Sequence, residues 1–318
     1  MKFKSNFKVI TPATISDLGC GLDVFGIALS AVYDEVLVKP SDKDHIVISE
    51  ITGHKMPIPL AVEQNAAGLV AQLVLDHLKQ EHGLDSKWGL DLSLRKRVAL
   101  GHGLGSSAAS AAGAAVAVNI AFGCPLEKRE LLPFILKGEI LAEGQPRINA
   151  IVPALLGGLF LVRDHAQLDF YRLPLIRGLQ VVVIYPRNDK GTKKEKRTQL
   201  PEQFPLAVVK EQAAQTAALV QAFSTSNLAL LSSAISNNTV EEYWQEYTPY
   251  FKELKEAALS NRALGCTLAS QGTAVFALCK NSLEALEVEE AMKKVYTQNK
   301  IRHTSFVASI DHEGSMLA

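Results

Sequence analysis

The sequence predicts an α+β protein of two domains, 1–170 and 171–318, dividing within about residues 165–175. Three observations carry this. Strand-like and helix-like patterns mix irregularly and do not repeat as βα units. A length of 318 residues is enough for two cores. Hydrophobic residues make up 47% and charged residues 21%, which places the chain with globular proteins and not with disordered ones.

In chain order, Phe7–Thr11, Asp34–Lys39, His45–Ile51 and Leu90–Val98 are apolar or alternating runs bounded by turn residues, the pattern of strands. In the fourth, Leu90, Leu92 and Leu94 alternate with Asp91, Ser93 and Arg95, as in a half-buried strand. Leu69, Leu73, Val74, His77 and Leu78 keep helical spacing, predicting a helix over about Ala61–His82 that Gly83 stops. A glycine-rich turn at 101–107 opens a second helix, and Leu126–Gly144 reads as a third. Gly157 and Gly158 break into a strand, Leu159–Arg163; Leu168–Leu173 and Leu179–Tyr185 follow as strands. Asn188–Pro205 is polar, Lys-rich and aperiodic, predicting a mobile surface loop. Helices are expected at about Leu206–Phe223, Leu228–Ile235 and Val240–Leu259. Strands Leu264–Leu268 and Ala274–Cys279, a helix Leu283–Gln298 and a strand Thr304–Ile310 complete the pattern.

Composition excludes several function classes. Lys plus Arg equals Asp plus Glu at 33 each, so nothing favours a nucleic-acid partner. Cys20, Cys124, Cys266 and Cys279 are scattered without a C-x-x-C pair, which fits reduced thiols in a cytoplasm. The chain starts with a polar segment, and its longest apolar run, 108–122, is Ala-rich and too short to span a bilayer; no membrane association is expected.

Residues 101–107 read Gly-His-Gly-Leu-Gly-Ser-Ser and lead into Ala-Ala-Ser-Ala-Ala-Gly-Ala-Ala-Val. Gly101, Gly103 and Gly105 let backbone N–H groups crowd an anion without Cβ obstruction, with Leu104 between them. Four unpaired N–H groups and the positive dipole end at a helix start favour phosphate. Ser106 and Ser107 add hydroxyls suited to phosphate or magnesium. Taken alone, the stretch is equally a capped helix entering a tight core. It is not the Walker pattern, because no Gly-Lys-Ser/Thr follows.

Further motifs accompany the loop. The first is Pro12-Ala13-Thr14-Ile15-Ser16-Asp17-Leu18-Gly19-Cys20-Gly21-Leu22-Asp23-Val24-Phe25-Gly26. Gly138-Glu139 is followed by Ala142, Gly144 and Pro153-Ala154-Leu155-Leu156-Gly157-Gly158. Arg197 with Leu200-Pro201, then Gly265-Cys266-Thr267-Leu268 with Gly272 and Val275-Phe276-Ala277-Leu278, complete the series. This succession, over nearly the whole chain, resembles the homoserine kinases of the GHMP small-molecule kinase superfamily.

The resemblance implies an N-terminal ribosomal-protein-like α/β domain, a C-terminal ferredoxin-like domain and a site in the cleft between them. It implies ATP, Mg2+ and phosphorylation of a primary hydroxyl on a small molecule, with a homodimer possible. By resemblance the 101–107 loop wraps the β- and γ-phosphates, Ser107 (with Ser106 alongside) and Glu139 hold magnesium, and Asn65 lies near the adenine. Taken singly, Glu139 is an ordinary exposed helix carboxylate and Asn65 a helix cap. Asp23 stands where the family binds the substrate ammonium, and Arg197 where it clamps the carboxylate; Arg197 is otherwise a solvated loop cation. Thr192 resembles the family's substrate-loop threonine but sits one residue out of register. His102 either touches phosphate or points to solvent, and Cys20 is read as a packing residue.

Departures from the family pattern gather at the acceptor end. Family Ala-Asn-Leu-Gly is Ser16-Asp17-Leu18-Gly19 here. Family Ser-Gly-x-x-His-x-Asp-Asn-Val-Ala-Pro runs from Glu143 to Pro153, with Arg147 for the histidine and Ala150 for the second asparagine. Trp244 replaces an arginine, Ala99 a proline, and Ala269–Ala274 keeps one glycine of a Ser-Gly-Ser-Gly-Pro-Thr loop. A lost transition-state arginine costs several orders of magnitude in rate. Asp17 and Arg147 are therefore candidates for the acceptor site, either pairing with each other or serving different groups, with Arg147 replacing part of the missing charge. The leading expectation is a kinase making O-phosphohomoserine on the way to threonine. The alternatives are a paralogue acting on another small hydroxy acid or amino alcohol, or a nucleotide-binding relative with little catalysis. Retained Ser107 and Glu139 count against the last.

Overall fold

The computed structural model describes residues 6–54, 56–187, 200–201, 203–235, 241–270 and 272–318. Its first sheet is built from β1 (Phe7–Ser16), β2 (Phe25–Ser41), β3 (Ile46–Thr52), β4 (Gly89–Arg95), β5 (Leu159–Asp164), β6 (Asp169–Leu173) and β11 (Met316–Leu317). The order is β11-β1-β2-β4-β3, and β5 pairs with both β2 and β6. Only β3 and β4 run parallel. The register of β1 on β2 shifts between Pro12 and Ala13, where proline has no N–H to give the ladder. The second sheet has the order β10-β7-β9-β8, from β7 (Gln180–Pro186), β8 (Gly265–Leu268), β9 (Val275–Cys279) and β10 (His303–Ser309), all antiparallel.

Helices α1 (Ala66–Glu81), α2 (Ser106–Ala121), α3 (Leu132–Glu143) and α4 (Ile148–Leu156) cover the first sheet. The second carries α5 (Leu206–Thr225), α6 (Leu228–Ile235), the short α7 (Glu241–Trp244), α8 (Phe251–Ser260) and α9 (Ser282–Gln298). The α+β expectation is borne out. Helix α2 is central and nearly all buried, which explains its small residues. A Cβ on Gly113 would press on Thr11 Oγ1 at 2.8 Å, so a larger side chain there would push the helix off β1.

One core lies between the first sheet and α1–α4. A second joins the two sheets: Ile15, Phe25 and Ile27 pack in one cluster with Val181, Val183, Phe223 and Phe276. A third, around Trp244, Met292 and Tyr296, fills the far side of the second sheet.

Several predicted elements change. The predicted helix Ala61–His82 begins only at Ala66, because Asn65 caps it. Leu126–Gly144 starts as a 3-10 turn over Lys128–Leu131, with α3 proper entered at Leu132 and Pro133 in its first turn. Val240–Leu259 is not one helix: a 3-10 turn follows α7, and Tyr250 takes φ +55 before α8. Helix α4 and strand β11 were not anticipated. Helix α4 is buried along almost its whole length, so no polar face marks its period. The Asn188–Pro205 expectation falls mostly on residues outside those described, as do Thr192 and Arg197.

Candidate active site

The 101–107 turn has the backbone its glycines allow. Gly101, Gly103 and Gly105 take φ +77, +85 and +70, left-handed values that side chains resist. A Cβ on Gly103 would run into Ala269 O, and one on Gly105 into Thr14 Oγ1. Gly105 occupies the N-cap of α2 and has no side chain to cap it, so the leading amides of α2 are left for another acceptor. Beside it, Thr14 Oγ1 is buried with no partner among the described residues. Thr14 N–H donates to the Leu104 carbonyl at 3.0 Å, which fixes the turn against β1. This is a cradle for an anion.

The two serines part company. Ser106 is buried and its hydroxyl donates to the Val98 carbonyl at 3.0 Å, so it shapes the turn from within. Lys96 Nζ donates to the Ser106 carbonyl at 2.7 Å and contacts Asp34 and Ser110, while Asp34 Oδ1 accepts from Arg97 and Val98 N–H at 2.8 Å each. A buried ion pair thus braces the turn from below. Ser107 instead donates to Glu143 Oε1 at 3.2 Å. Glu139 is one helical turn earlier on α3 and 1% exposed, not the solvated carboxylate its residue type suggests. Ser107 and Glu143 are in contact and Glu139 stands one turn away on the same helix; oxygen donors of this kind suit a hard divalent cation. Among the described residues no three His, Cys, Asp or Glu side chains converge on one metal position, so a cation here would complete its shell with phosphate oxygens and water.

Asn65 is the N-cap of α1: Oδ1 accepts from Ala67 N–H at 3.0 Å and Gly68 N–H at 3.2 Å, and Nδ2 donates to Pro59 O at 2.8 Å. Both ends of its amide serve the backbone, so the cap alternative describes it. A groove of about 480 Å³ lined by Ile48, Leu60, Val62 and Gln72, among others, lies along β3 and shares no residue with the 101–107 turn.

In the turn between β1 and β2, Asp17 and Asp23 both adopt left-handed backbone, φ +68 and +56. Asp17 Oδ1 accepts the Asp23 N–H at 2.5 Å, a local bond that makes this conformation tolerable for aspartate. Arg147 Nη2 lies 3.3 Å from Asp17 Oδ2 and 3.6 Å from Asp23 Oδ1, so the pairing alternative for Asp17 and Arg147 is realised. Burial pushes the Asp17 carboxyl upward and Arg147 opposes that push. Burial also works against the Arg147 charge, but Asp17, Asp23, Glu139 and Glu143 outweigh it and hold the guanidinium above its ordinary value. Trp244 lies in the core of the second sheet, packed with Phe251 and Leu254.

Three further residues belong to this cluster; Asn149 and Ser270 lie in stretches whose departures the sequence marked, without being singled out. Asn149 donates to Asp17 Oδ1 at 3.2 Å; its signal was an amide where the family pattern has aspartate. His165 contacts the Asp23 carbonyl at 2.9 Å, and nothing local marks it. Ser270 accepts from Arg147 Nη2 at 2.7 Å. His102 does not point to solvent. Its Nδ1 is 2.6 Å from Thr273 Oγ1 and its ring packs on Tyr185, so it ties the glycine turn to the second sheet. Cys20 is buried, as a packing residue should be.

The model of the GHMP kinases N terminal domain matches residues 68–158, and that of the GHMP kinases C terminal domain residues 219–298. The homoserine kinase of Chlorobium phaeovibrioides is 32% identical over 311 residues, covering 96% of this chain and 97% of that protein. The homoserine kinase of Methanopyrus kandleri is 34% identical over 289 residues, 90% and 91% of the two chains. The crystal structure of homoserine kinase from Cytophaga hutchinsonii superposes with a TM-score of 0.94 at 33% identity, covering 100% of this chain and 99% of that one. The chain belongs to the homoserine kinase family of GHMP kinases. A likeness to Leishmania major mevalonate kinase, TM-score 0.71 at 16% identity, shows the shared GHMP fold alone. In this GHMP kinase the glycine cradle, the Ser107–Glu143 contact and the Asp17–Arg147–Ser270 cluster come together from both halves of the chain.

Proposed function

We propose that the protein transfers the γ-phosphoryl group of ATP to the side-chain hydroxyl of L-homoserine, giving O-phospho-L-homoserine. The observation that carries this reading is the whole-chain correspondence, 33% identity with a TM-score of 0.94, to the Cytophaga homoserine kinase. The acceptor oxygen bonds to the γ-phosphorus as the β–γ bridging bond breaks, releasing ADP and a proton. Such a transfer needs positioning and charge neutralisation more than covalent help.

Each part of the chain has a task in it. The left-handed glycines and the leading amides of α2 cradle the phosphates, and Thr14 Oγ1 is a further buried hydroxyl beside that cradle. Ser107, Glu139 and Glu143 would hold Mg2+, which neutralises phosphate charge when bound. Lys96 and Asp34 keep the turn rigid. Asn65 shapes the entrance of α1 beside the nucleotide end through its backbone bonds. Asp23 presents a carboxylate, 44% exposed, to the acceptor ammonium. Arg197 is the candidate clamp for the acceptor carboxylate. The four cysteines are free, consistent with a cytoplasmic setting, and among the described residues no helix is long and apolar enough to cross a membrane.

One observation favours a second reading. A buried Arg147–Asp17 pair lines the acceptor end, so a different small hydroxy amino acid or amino alcohol is the alternative acceptor. A coupled ADP-release assay with homoserine, threonine and serine, run with Mg2+ and again with chelator, decides. Selective turnover of homoserine supports the first reading, and selective turnover of another acceptor the second. ATP binding without turnover of any of them would sink both.

A further inference from the structure

Arg147 reaches both halves of the cleft. Its backbone is fixed, because its carbonyl accepts the Ala150 N–H at 3.0 Å and opens α4. Its side chain is 2% exposed. From there Nη2 touches the turn after β1, through Asp17 and Asp23, and donates to Ser270, which follows β8 of the second sheet at φ +53. Ala269, the neighbour of Ser270, abuts Gly103 of the glycine turn. One guanidinium therefore bears on the Asp23 carboxylate and on the wall behind the glycine turn.

The two carboxylates beside it are not equivalent. Asp17 is buried, bonded to Asn149 and to the Asp23 N–H, and faces Arg147 at 3.3 Å. Asp23 is 44% exposed at its side chain. Glu139 and Glu143 also act on the Arg147 charge, and of the two aspartates that Arg147 contacts only Asp23 is accessible. A buried cation with this many polar contacts is costly to desolvate unless each contact is kept, so its removal unsettles every group that it holds.

We propose that Arg147 is the positioning residue of the acceptor site: by holding Asp17 and tethering Ser270 it fixes the Asp23 carboxylate on which the acceptor ammonium docks. This rests on the reading above, that the acceptor is a hydroxy amino acid phosphorylated by ATP. Arg147 itself touches the holders of the acceptor, and its effect is read through them.

The test uses the full chain with Arg147→Met, Arg147→Lys, Ser270→Ala and Arg147→Met/Asp17→Asn. Steady-state kinetics give KM for homoserine and for ATP separately, and thermal melting is recorded for each variant. Arg147→Met is expected to raise the homoserine KM by about tenfold or more with the ATP KM within about twofold. Arg147→Lys recovers part of the loss, and the double variant, which no longer buries an uncompensated carboxylate, lies nearer wild type than Arg147→Met alone. Ser270→Ala raises the homoserine KM a few-fold. An unchanged homoserine KM in Arg147→Met overturns the proposal. So does a parallel rise in both KM values that lysine does not mend, the mark of a merely structural ion pair. Should Arg147→Met fail to fold, Arg147→Lys and Ser270→Ala decide by the same split. If the wild type prefers another acceptor, the reading of homoserine fails while the KM split is measured on that acceptor. If the wild type turns over no acceptor at all, the function fails first, and the tether is judged by the coupling of Arg147→Lys and Ser270→Ala in melting temperature; additive shifts overturn it.

Discussion

Glu139 and Glu143 stand four residues apart on α3, so one face of the helix carries both carboxylates. Glu139 is buried with the Arg147 guanidinium acting on it, and a bound cation would add to that counterweight. Glu139→Gln keeps the shape and removes the charge. Turnover at saturating Mg2+ should fall by about a hundredfold, and Mn2+ binding in the presence of ADP, followed by electron paramagnetic resonance, should weaken. A variant with wild-type metal response would remove Glu139 from the metal site. Cys20 gives a second expectation at this scale. Burial raises its thiol from 9.0 to about 11, with a hydrogen bond to Thr216 opposing. The unfolded thiol loses its proton near 9.0 while the folded one keeps it to about 11, so the folded state holds more protons in that window. Its contribution to stability is complete below pH 9.0 and declines as pH rises towards about 11. Denaturant titrations across that range should show the decline, and Cys20→Ala should make it shallower.

At the scale of elements, two helix starts stand at the proposed nucleotide end. Helix α1 begins where Asn65 supplies its cap, and Asn65→Ala should cost about 1 kcal/mol of stability with a raised ATP KM. Asn65→Asp keeps the cap but not the bond to Pro59, so the two variants separate helix capping from anchoring of the preceding segment. Helix α2 begins at a glycine that no other residue replaces without strain. Gly105→Ala must adopt φ +70 and displace Thr14 Oγ1, so nucleotide affinity measured by calorimetry should fall at least tenfold. Unchanged ATP affinity would show that the cradle does not depend on this turn. The start of α2 was legible in the sequence because a glycine turn is local, whereas α1 was expected from about Ala61, ahead of its Asn65 cap. Helix α4 was not legible, since a helix buried on every side has no polar stripe. The break before α8, by contrast, has a local mark that the expectation of one helix over Val240–Leu259 overlooked: Pro249 stands just before Tyr250, and proline ends or kinks a helix.

At the scale of the whole molecule, the chain closes on itself. After β10 the backbone turns at Asp311, whose Oδ1 accepts from Glu313 and Gly314 N–H and whose Oδ2 accepts from Tyr33. Strand β11 then pairs with β1, and the buried Ser315 hydroxyl meets Thr11 and the Ala154 carbonyl. Together with the shared core around Phe25, Phe223 and Phe276, this couples the two sheets mechanically. Thermal unfolding followed by calorimetry is therefore expected to show one cooperative transition, and Asp311→Ala should lower stability by about 1–3 kcal/mol. Two well-separated transitions in the wild type would contradict this coupling.

The sequence by itself determined the class of fold and the glycine turn at 101–107, because each is written in neighbouring residues; Glu139 and the turn's role came with the family resemblance, from motifs read in order. It also marked Asp17 and Arg147 as departures, without choosing between pairing and separate service. Tertiary structure decided that choice and the partners of the rest. Ser107 meets Glu143 across 36 positions, Arg147 meets Ser270 across 123, and His102 meets Thr273 across 171. Contacts of that separation leave no local signal: the first joins two helices packed on one sheet, and the other two exist because the two sheets share a core.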